Sequence, residues 1–378
     1  MKPIYLDNAA TTPIDKGVIK HITTVMTEVY GNPSSIHQFG RKAKTVVEEA
    51  RKSIAKHFNA TANEIVFTAG GSEADNLILR NAIVNLKVKR IITSKIEHHA
   101  VLHTVSALEK EFNIQIDYVN ITKKGTIDYQ HLEELLQQGS EKTLVSLMYV
   151  NNELGTILDI NKVSELCTKH EALFHSDTVQ AIGHYEIDLQ NTPIDFMVAS
   201  AHKFHGPKGV GFAIIKKGFG IKPLLIGGEQ ERGARAGTEN VHNIAGMQKA
   251  LTIAMDNLVA DATYILGLKK YFINQLLENL PEINFNGCSD DFKLSTYTIL
   301  NVRFTEDYSM LLFQLDLKGI AVSGGSACQS GSAKGSHVLN EILSKKEAEK
   351  TSVRFSFSKF NTRKEIDRTI EVLKELLQ

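Results

Sequence analysis

Short apolar runs alternating with amphipathic stretches of helical period constrain this chain more than any other feature. Runs of strand length fall at 65–68, 90–94, 115–119, 143–149, 172–175, 196–200 and 211–215. Helix-length stretches separate many of them. Residues 41–58, for example, carry Val47, Ala50, Ile54 and Phe58 on one face. Strands that alternate with helices predict an α/β fold with a mostly parallel sheet, here seven-stranded, covered by helices on both sides. The pattern changes near residue 255. A helical stretch over about 257–279, a strand-like TYTILNVRF at 296–304 and a last helix predict a smaller α+β unit. That last helix opens on the capping box Thr362-x-x-Glu365 and should bury Ile366, Ile370, Leu373 and Leu377. We expect a large domain over 15–255, and a small one formed by 1–14 together with 256–378.

Composition narrows the function classes. Lys+Arg and Asp+Glu are equal at 43 each, so no net charge draws the chain to nucleic acid or an anionic membrane, and neither partner is expected. No apolar run approaches the roughly 20 residues of a membrane helix. The opening MKPIYLDNAATTP has no long apolar stretch of the secretory kind, so the expected compartment is the cytoplasm. The three cysteines, Cys167, Cys288 and Cys328, are far apart and odd in number, which fits neither a disulfide framework nor a metal site.

Chemistry collects where apolar runs end. In SAHKFHGPKGVG (200–211) a lysine, Lys203, follows a strand end, where open α/β sheets bind ligands. Such a lysine is either a solvated loop residue or a partly desolvated amine able to form a Schiff base with a carbonyl cofactor. In HSDTVQ (175–180), Asp177 is either a helix cap or the carboxylate partner of a protonated pyridine nitrogen. Gln180 would lie one turn further and reach a phenolic oxygen. In FTAGGSEADN (67–76), Gly71 and Ser72 open a helix whose N–H groups either form a capped turn or cradle a phosphate. His98, in EHHAV, is either an ordinary surface or capping histidine or an imidazole able to stack on an aromatic cofactor and move protons, and its neighbour His99 should be a surface or capping residue. Residues 323–336, SGGSACQSGSAKGS, hold five Ser and four Gly and are expected to be a mobile loop around Cys328. An exposed cysteine there is a candidate nucleophile, whereas Cys167 and Cys288 read as interior.

In their order along the chain these segments, with YLDNAATTP (5–13), GNPSSIHQFG (31–40), MYVNNELGT (148–156), GGEQERGARAGTENV (227–241) and SVRFSF (352–357), closely resemble the cysteine desulfurases of the NifS/IscS kind, in the class V aminotransferase group. The resemblance spans nearly the whole chain. It implies aminotransferase fold type I and pyridoxal 5'-phosphate as cofactor. It implies Lys203 as the Schiff-base lysine, Asp177 and Gln180 as partners of the pyridine nitrogen and phenolic oxygen, and His98 as the stacking and catalytic histidine. Gly71, Ser72, Ser200 and His202 match cofactor and phosphate contacts. Asn152 matches a residue near cofactor and substrate, and Arg354 the arginine that holds the substrate carboxylate. Thr238 matches a phosphate contact from the other subunit, which implies a homodimer. Cys328 matches the cysteine that takes sulfur from L-cysteine as a persulfide, leaving L-alanine. The implied sulfur acceptor is an iron–sulfur scaffold protein, a tRNA-thiolation enzyme, or both. Ser72 stands where Thr is usual, Ser176 where Val is usual and Thr178 where Ala is usual. The alternative readings are an aminotransferase or selenocysteine lyase of the same fold, or a non-catalytic binding protein. Cys328 speaks against an aminotransferase, and Lys203, Asp177 and His98 against a non-catalytic protein.

Overall fold

In this computed structural model, which describes residues 3–139, 141–324 and 335–377, the chain opens with β1 (Ile4–Tyr5), α1 (Lys16–Glu28) and α2 (Gln38–His57). Next come β2 (Ile65–Thr68), α3 (Gly71–Val84), β3 (Arg90–Thr93), α4 (His99–Phe112), β4 (Gln115–Tyr118), α5 (Tyr129–Gln137), β5 (Thr143–Ser146), α6 (Ile160–Lys169), β6 (Leu173–Ser176), β7 (Phe196–Ser200) and β8 (Gly211–Ile215). The strands assemble into one sheet of seven in the order β2-β8-β7-β6-β5-β3-β4. All neighbours are parallel except β8, which runs antiparallel to both β2 and β7. Every residue of β2, β3, β5, β7 and β8 is buried, which is why these strands are mostly apolar with no alternation, their polar residues falling at the strand ends. Edge strand β4 is the exposed exception. On α2, the face with Ala43, Val47, Ala50 and Ile54 packs on the sheet.

The remaining elements are α7 (Val241–Asp256), α8 (Leu258–Asn279), β9 (Asn284–Phe285), β10 (Ile299–Arg303), α9 (Leu311–Leu317), β11 (Ile320–Ala321), α10 (His337–Ile342), α11 (Lys345–Ala348), β12 (Ser352–Ser356) and α12 (Arg363–Leu377). Strands β12-β10-β9 form an antiparallel sheet, and β1 pairs in parallel with β11. A second core joins Ile4 and Leu6 to Phe272, Val302, Phe355 and Leu373. The first residues of the chain are thus built into the same core as the last. At the start of α12, Thr362 N donates to Glu365 Oε2 (2.8 Å) and Glu365 N to Thr362 Oγ1 (3.4 Å). Ile366, Ile370 and Leu373 are buried, while Leu377 is only half-buried, at the fraying end of the helix. The strand expected over 143–149 stops at Ser146: Leu147 N and Tyr149 N still bond His175 O and Asp177 O on the β6 side, but Met148 N donates to the Glu97 side chain (3.1 Å) and not to a strand carbonyl.

Candidate active site

The carboxyl ends of β3, β5, β6 and β7 meet the start of α3 around a cavity of about 260 Å³. At one end lies the α3 N-terminus, whose first N–H groups lack helical partners. A Cβ on Gly71 would come within 2.6 Å of Val179 Cγ2 and 3.8 Å of Ser200 Cβ, so a larger residue would fill this corner. The turn before it is fixed by Ala69 N donating to Glu73 Oε2 (2.9 Å), and Glu73 is in turn paired with Arg235 (2.9 Å). Ser72, Ser200 and His202 line the same corner. His202 Nδ1 sits 3.1 Å from Thr11 Oγ1, and burial pushes its pKa down to about 4, helped by Lys203 and Lys208. Its imidazole is therefore neutral.

Asp177 follows β6 directly, is buried, and accepts a hydrogen bond from Val179 N (3.0 Å). Burial pushes its carboxyl up, against His98, the Val179 N–H and Lys203, which favour the anion. No helix follows Asp177: residues 179–184 form turns, with Ala181 N and Ile182 N bonding Thr178 O, and Gln180 Nε2 donates to Ala9 O (2.9 Å). Two residues before Asp177, His175 lies within β6 between Ser146 Oγ (2.9 Å) and Asp75 Oδ1 (3.4 Å). Burial lowers the pKa of His175 to about 3 and raises that of Asp75 well above the carboxylate range, with Asp177 and Glu97 adding to the rise. His98 caps α4, its Nδ1 accepting from Ala100 N (3.1 Å), which puts the proton of the neutral ring on Nε2. Lys203 Nζ donates to the carbonyls of Ala9 (2.5 Å) and Ala10 (3.0 Å).

At the far end is Arg354 on β12, 1% exposed. Its Nη1 donates to Asn152 O (2.7 Å) and its Nη2 to Asp7 Oδ1 (2.9 Å), while Nε has no partner among the described residues. Arginine has five N–H groups, so Nε and two further protons remain for a carboxylate.

The cavity gathers Gly71, Ser72, His98, Asn152, Asp177, Gln180, Ser200, His202, Lys203 and Arg354. It excludes Thr238, which is exposed beside a second cavity of about 230 Å³ with Arg235, Glu239 and Asn240. Cys328 lies outside the described residues. Cys167 and Cys288 are buried, and burial pushes both thiols up, which keeps them unreactive. His99 is half-buried, and its ring lies between His103 (4.7 Å between centroids) and His337 (4.4 Å). Three contributors escape sequence reasoning. Ala9 and Ala10 act through carbonyls, and Asp75 reads from sequence as one more position of α3. Pyridoxal phosphate fits this set: an anion cradle that a Cβ would fill, a buried carboxylate for its ring nitrogen, and an amine lining the same cavity.

The family model described as "Aminotransferase class-V" matches residues 4–369. A protein named "Cysteine desulfurase IscS" from Dictyoglomus turgidum is 40% identical over 379 residues, covering 100% of this chain and 95% of that protein. Among solved structures, a "NIFS-LIKE PROTEIN" superposes with a TM-score of 0.91 at 34% identity, covering 99% of both chains. "SspA in complex with cysteine" superposes at 0.82 with 30% identity, over 95% of this chain and 100% of that one. Likeness at this identity across whole chains, in sequence and in backbone alike, has one reading: this chain belongs to the class V aminotransferase family, which depends on pyridoxal phosphate, and within it to the cysteine desulfurases.

Proposed function

We propose that the chain converts L-cysteine to L-alanine, takes the sulfur as a persulfide on Cys328, and passes it to an acceptor protein for iron–sulfur cluster assembly or tRNA thiolation. The observation that carries this reading is the convergence of Lys203, Asp177 and Arg354 on one cavity. A relative solved with cysteine supports the substrate.

When bound, pyridoxal phosphate draws electrons from the substrate α-carbon. The α3 N-terminus with Ser72 would hold its phosphate, Asp177 its pyridine nitrogen, Gln180 its phenolic oxygen and His98 the face of its ring. Arg354 holds the substrate carboxylate through donors that Asp7 and Asn152 leave over, a two-point contact suited to a guanidinium. Lys203 moves the proton at the substrate α-carbon, its Nζ oriented by the Ala9 and Ala10 carbonyls. The Cys328 thiolate attacks the substrate sulfur. An S–S bond forms as the C–S bond breaks, and its electron pair stays with carbon until a proton takes it up. Cysteine plus thiol thus gives alanine plus persulfide, with atoms and electrons balanced. The exposed position of Thr238, outside this chain's own cavity, supports a homodimer in which each chain lends Thr238 to its partner's phosphate corner.

The test is alanine and sulfide release from L-cysteine with a thiol reductant. Cys328→Ser should keep the visible cofactor band and release neither product, because a hydroxyl is scarcely ionised near neutral pH. Replacing Cys167 or Cys288 should leave turnover nearly intact. Near-wild-type desulfuration by Cys328→Ser would overturn the reading.

A further inference from the structure

Glu153 is fully buried in the segment between β5 and α6, next in sequence to Asn152. A buried carboxylate costs several kcal/mol unless something holds it, and an apolar residue would suit the fold better. Among the described residues the basic side chain paired with it is His337, whose Nδ1 lies 4.0 Å from Oε1, an oxygen that has no hydrogen-bond partner among those residues. The other oxygen, Oε2, accepts from Ser336 Oγ. Ser336 also caps α10 by accepting from Leu339 N (3.0 Å), and His337 Nε2 lies 3.0 Å from Glu97 O. The chain that returns from Cys328, eight positions upstream of Ser336, is thus received by two residues, and each precedes or follows a cavity residue: Glu97 beside His98, Glu153 beside Asn152. Five positions before Cys328, Ser323 exchanges backbone hydrogen bonds with Arg354 (2.7 and 3.3 Å). Glu153 itself is steadied by Asn151 Oδ1, which accepts from its N–H (2.9 Å), and by Asn301 Nδ2, which donates to its carbonyl (3.0 Å).

We propose that Glu153 is a positioning residue for sulfur transfer: through Ser336 and His337 it fixes where the chain bearing Cys328 rejoins the fold, beside the substrate cavity. The inference rests on the assignment of Cys328 above. Glu153 reaches neither cofactor nor substrate in this scheme. Its loss should therefore spare cysteine binding and slow the step that Cys328 performs, since a displacement of about 1 Å can cost about a hundredfold in rate.

The experiment uses holoenzyme and reads two things separately: the change in the visible spectrum when L-cysteine is added, and the single-turnover rate of persulfide formation. Glu153→Ala should keep the cofactor band and the cysteine half-saturation within about twofold, and form persulfide at least about tenfold more slowly. Glu153→Gln, which retains an acceptor for Ser336, should recover most of that rate. Ser336→Ala should reproduce the defect, and Ser344→Ala, which removes the cap of neighbouring α11, should not. A wild-type persulfide rate in Glu153→Ala overturns the proposal. So does a parallel loss of cysteine binding, which would place Glu153 among the groups that build the cavity. If Glu153→Ala does not fold, Ser336→Ala decides: an unchanged rate there overturns the proposal as well. A wild type that forms no persulfide sinks the desulfurase reading first, and this inference with it.

Discussion

Asp7 and Arg354 meet at 2.9 Å, Oδ1 to Nη2, although 347 positions separate them in the chain. The guanidinium is almost fully buried and Asp7 is 17% exposed, so the carboxylate offsets a charge that water cannot reach. The pair also fixes the Arg354 side chain where it lines the cavity.

Removing that partner should hurt binding more than chemistry. Asp7→Ala leaves a buried cation with only the Asn152 carbonyl, which should cost about 3 kcal/mol of stability. KM for L-cysteine should rise about tenfold while kcat stays within about threefold, because a poorly aimed carboxylate contact weakens ground and transition states alike. Steady-state kinetics and thermal unfolding of the same preparation test both parts. A fall in kcat with unchanged KM would refute the orienting role.

The phosphate corner makes a second prediction. Alanine is a better helix former than glycine by about 1 kcal/mol. Even so, Gly71→Ala should lose, because its methyl would sit 2.6 Å from Val179 Cγ2, and a β-branched neighbour has little room to turn away. Titration of the apoprotein should show pyridoxal phosphate binding weakened about tenfold, a loss of about 1.4 kcal/mol. An unchanged Kd would mean that the corner is not a cradle.

Lys269 makes a prediction about pH. Its side chain is fully buried, donating to Ser295 Oγ (3.1 Å) and Thr296 O (2.7 Å), and burial pushes its pKa from 10.5 down to about 7. Between about pH 7 and pH 10 the unfolded chain holds the proton and the folded chain does not, so stability should rise with pH across that window. This contribution is complete above the ordinary lysine value and is lost as pH falls through about 7. Lys269→Met should flatten the slope in denaturant titrations at several pH values. An equal slope in both proteins would place the titration elsewhere.

The shared phosphate corner is testable by mixing. A Lys203→Ala subunit and a Thr238→Val subunit, each impaired alone, should together form dimers in which one of the two sites has both residues intact. Recovery of activity on subunit exchange is the expected result. Exchange shown by native mass spectrometry without any recovery would rule the arrangement out.

Much of this site was legible because its chemistry is carried by side chains that follow apolar strands. Lys203, Asp177 and His98 each sit just beyond a strand end, and a strand end in an α/β sheet is already a place for ligands. What stayed hidden was carried by the backbone or by long-range contact. Ala9 and Ala10 offer only carbonyls, which every residue has. Asp75 declares itself only when α3 lies against His175. His99 looked like a spare histidine until α10 brought His337 onto its ring. The end of β5 was misjudged for a similar reason. Leu147, Met148 and Tyr149 continue an apolar run, but Met148 N is taken by the Glu97 side chain and no longer pairs with a strand.

The pairing of Ile4–Tyr5 with Ile320–Ala321 has a consequence for synthesis. A chain emerging from the ribosome presents its first residues several hundred codons before their strand partners exist. The seven-stranded sheet uses only residues 65–215 and can form while translation continues. The carbonyls that hold Lys203 come from the segment that must wait for β11. A nascent chain would therefore carry a folded sheet well before it carried a competent site, and a prematurely terminated product lacking residues beyond about 320 should be folded in part and catalytically silent.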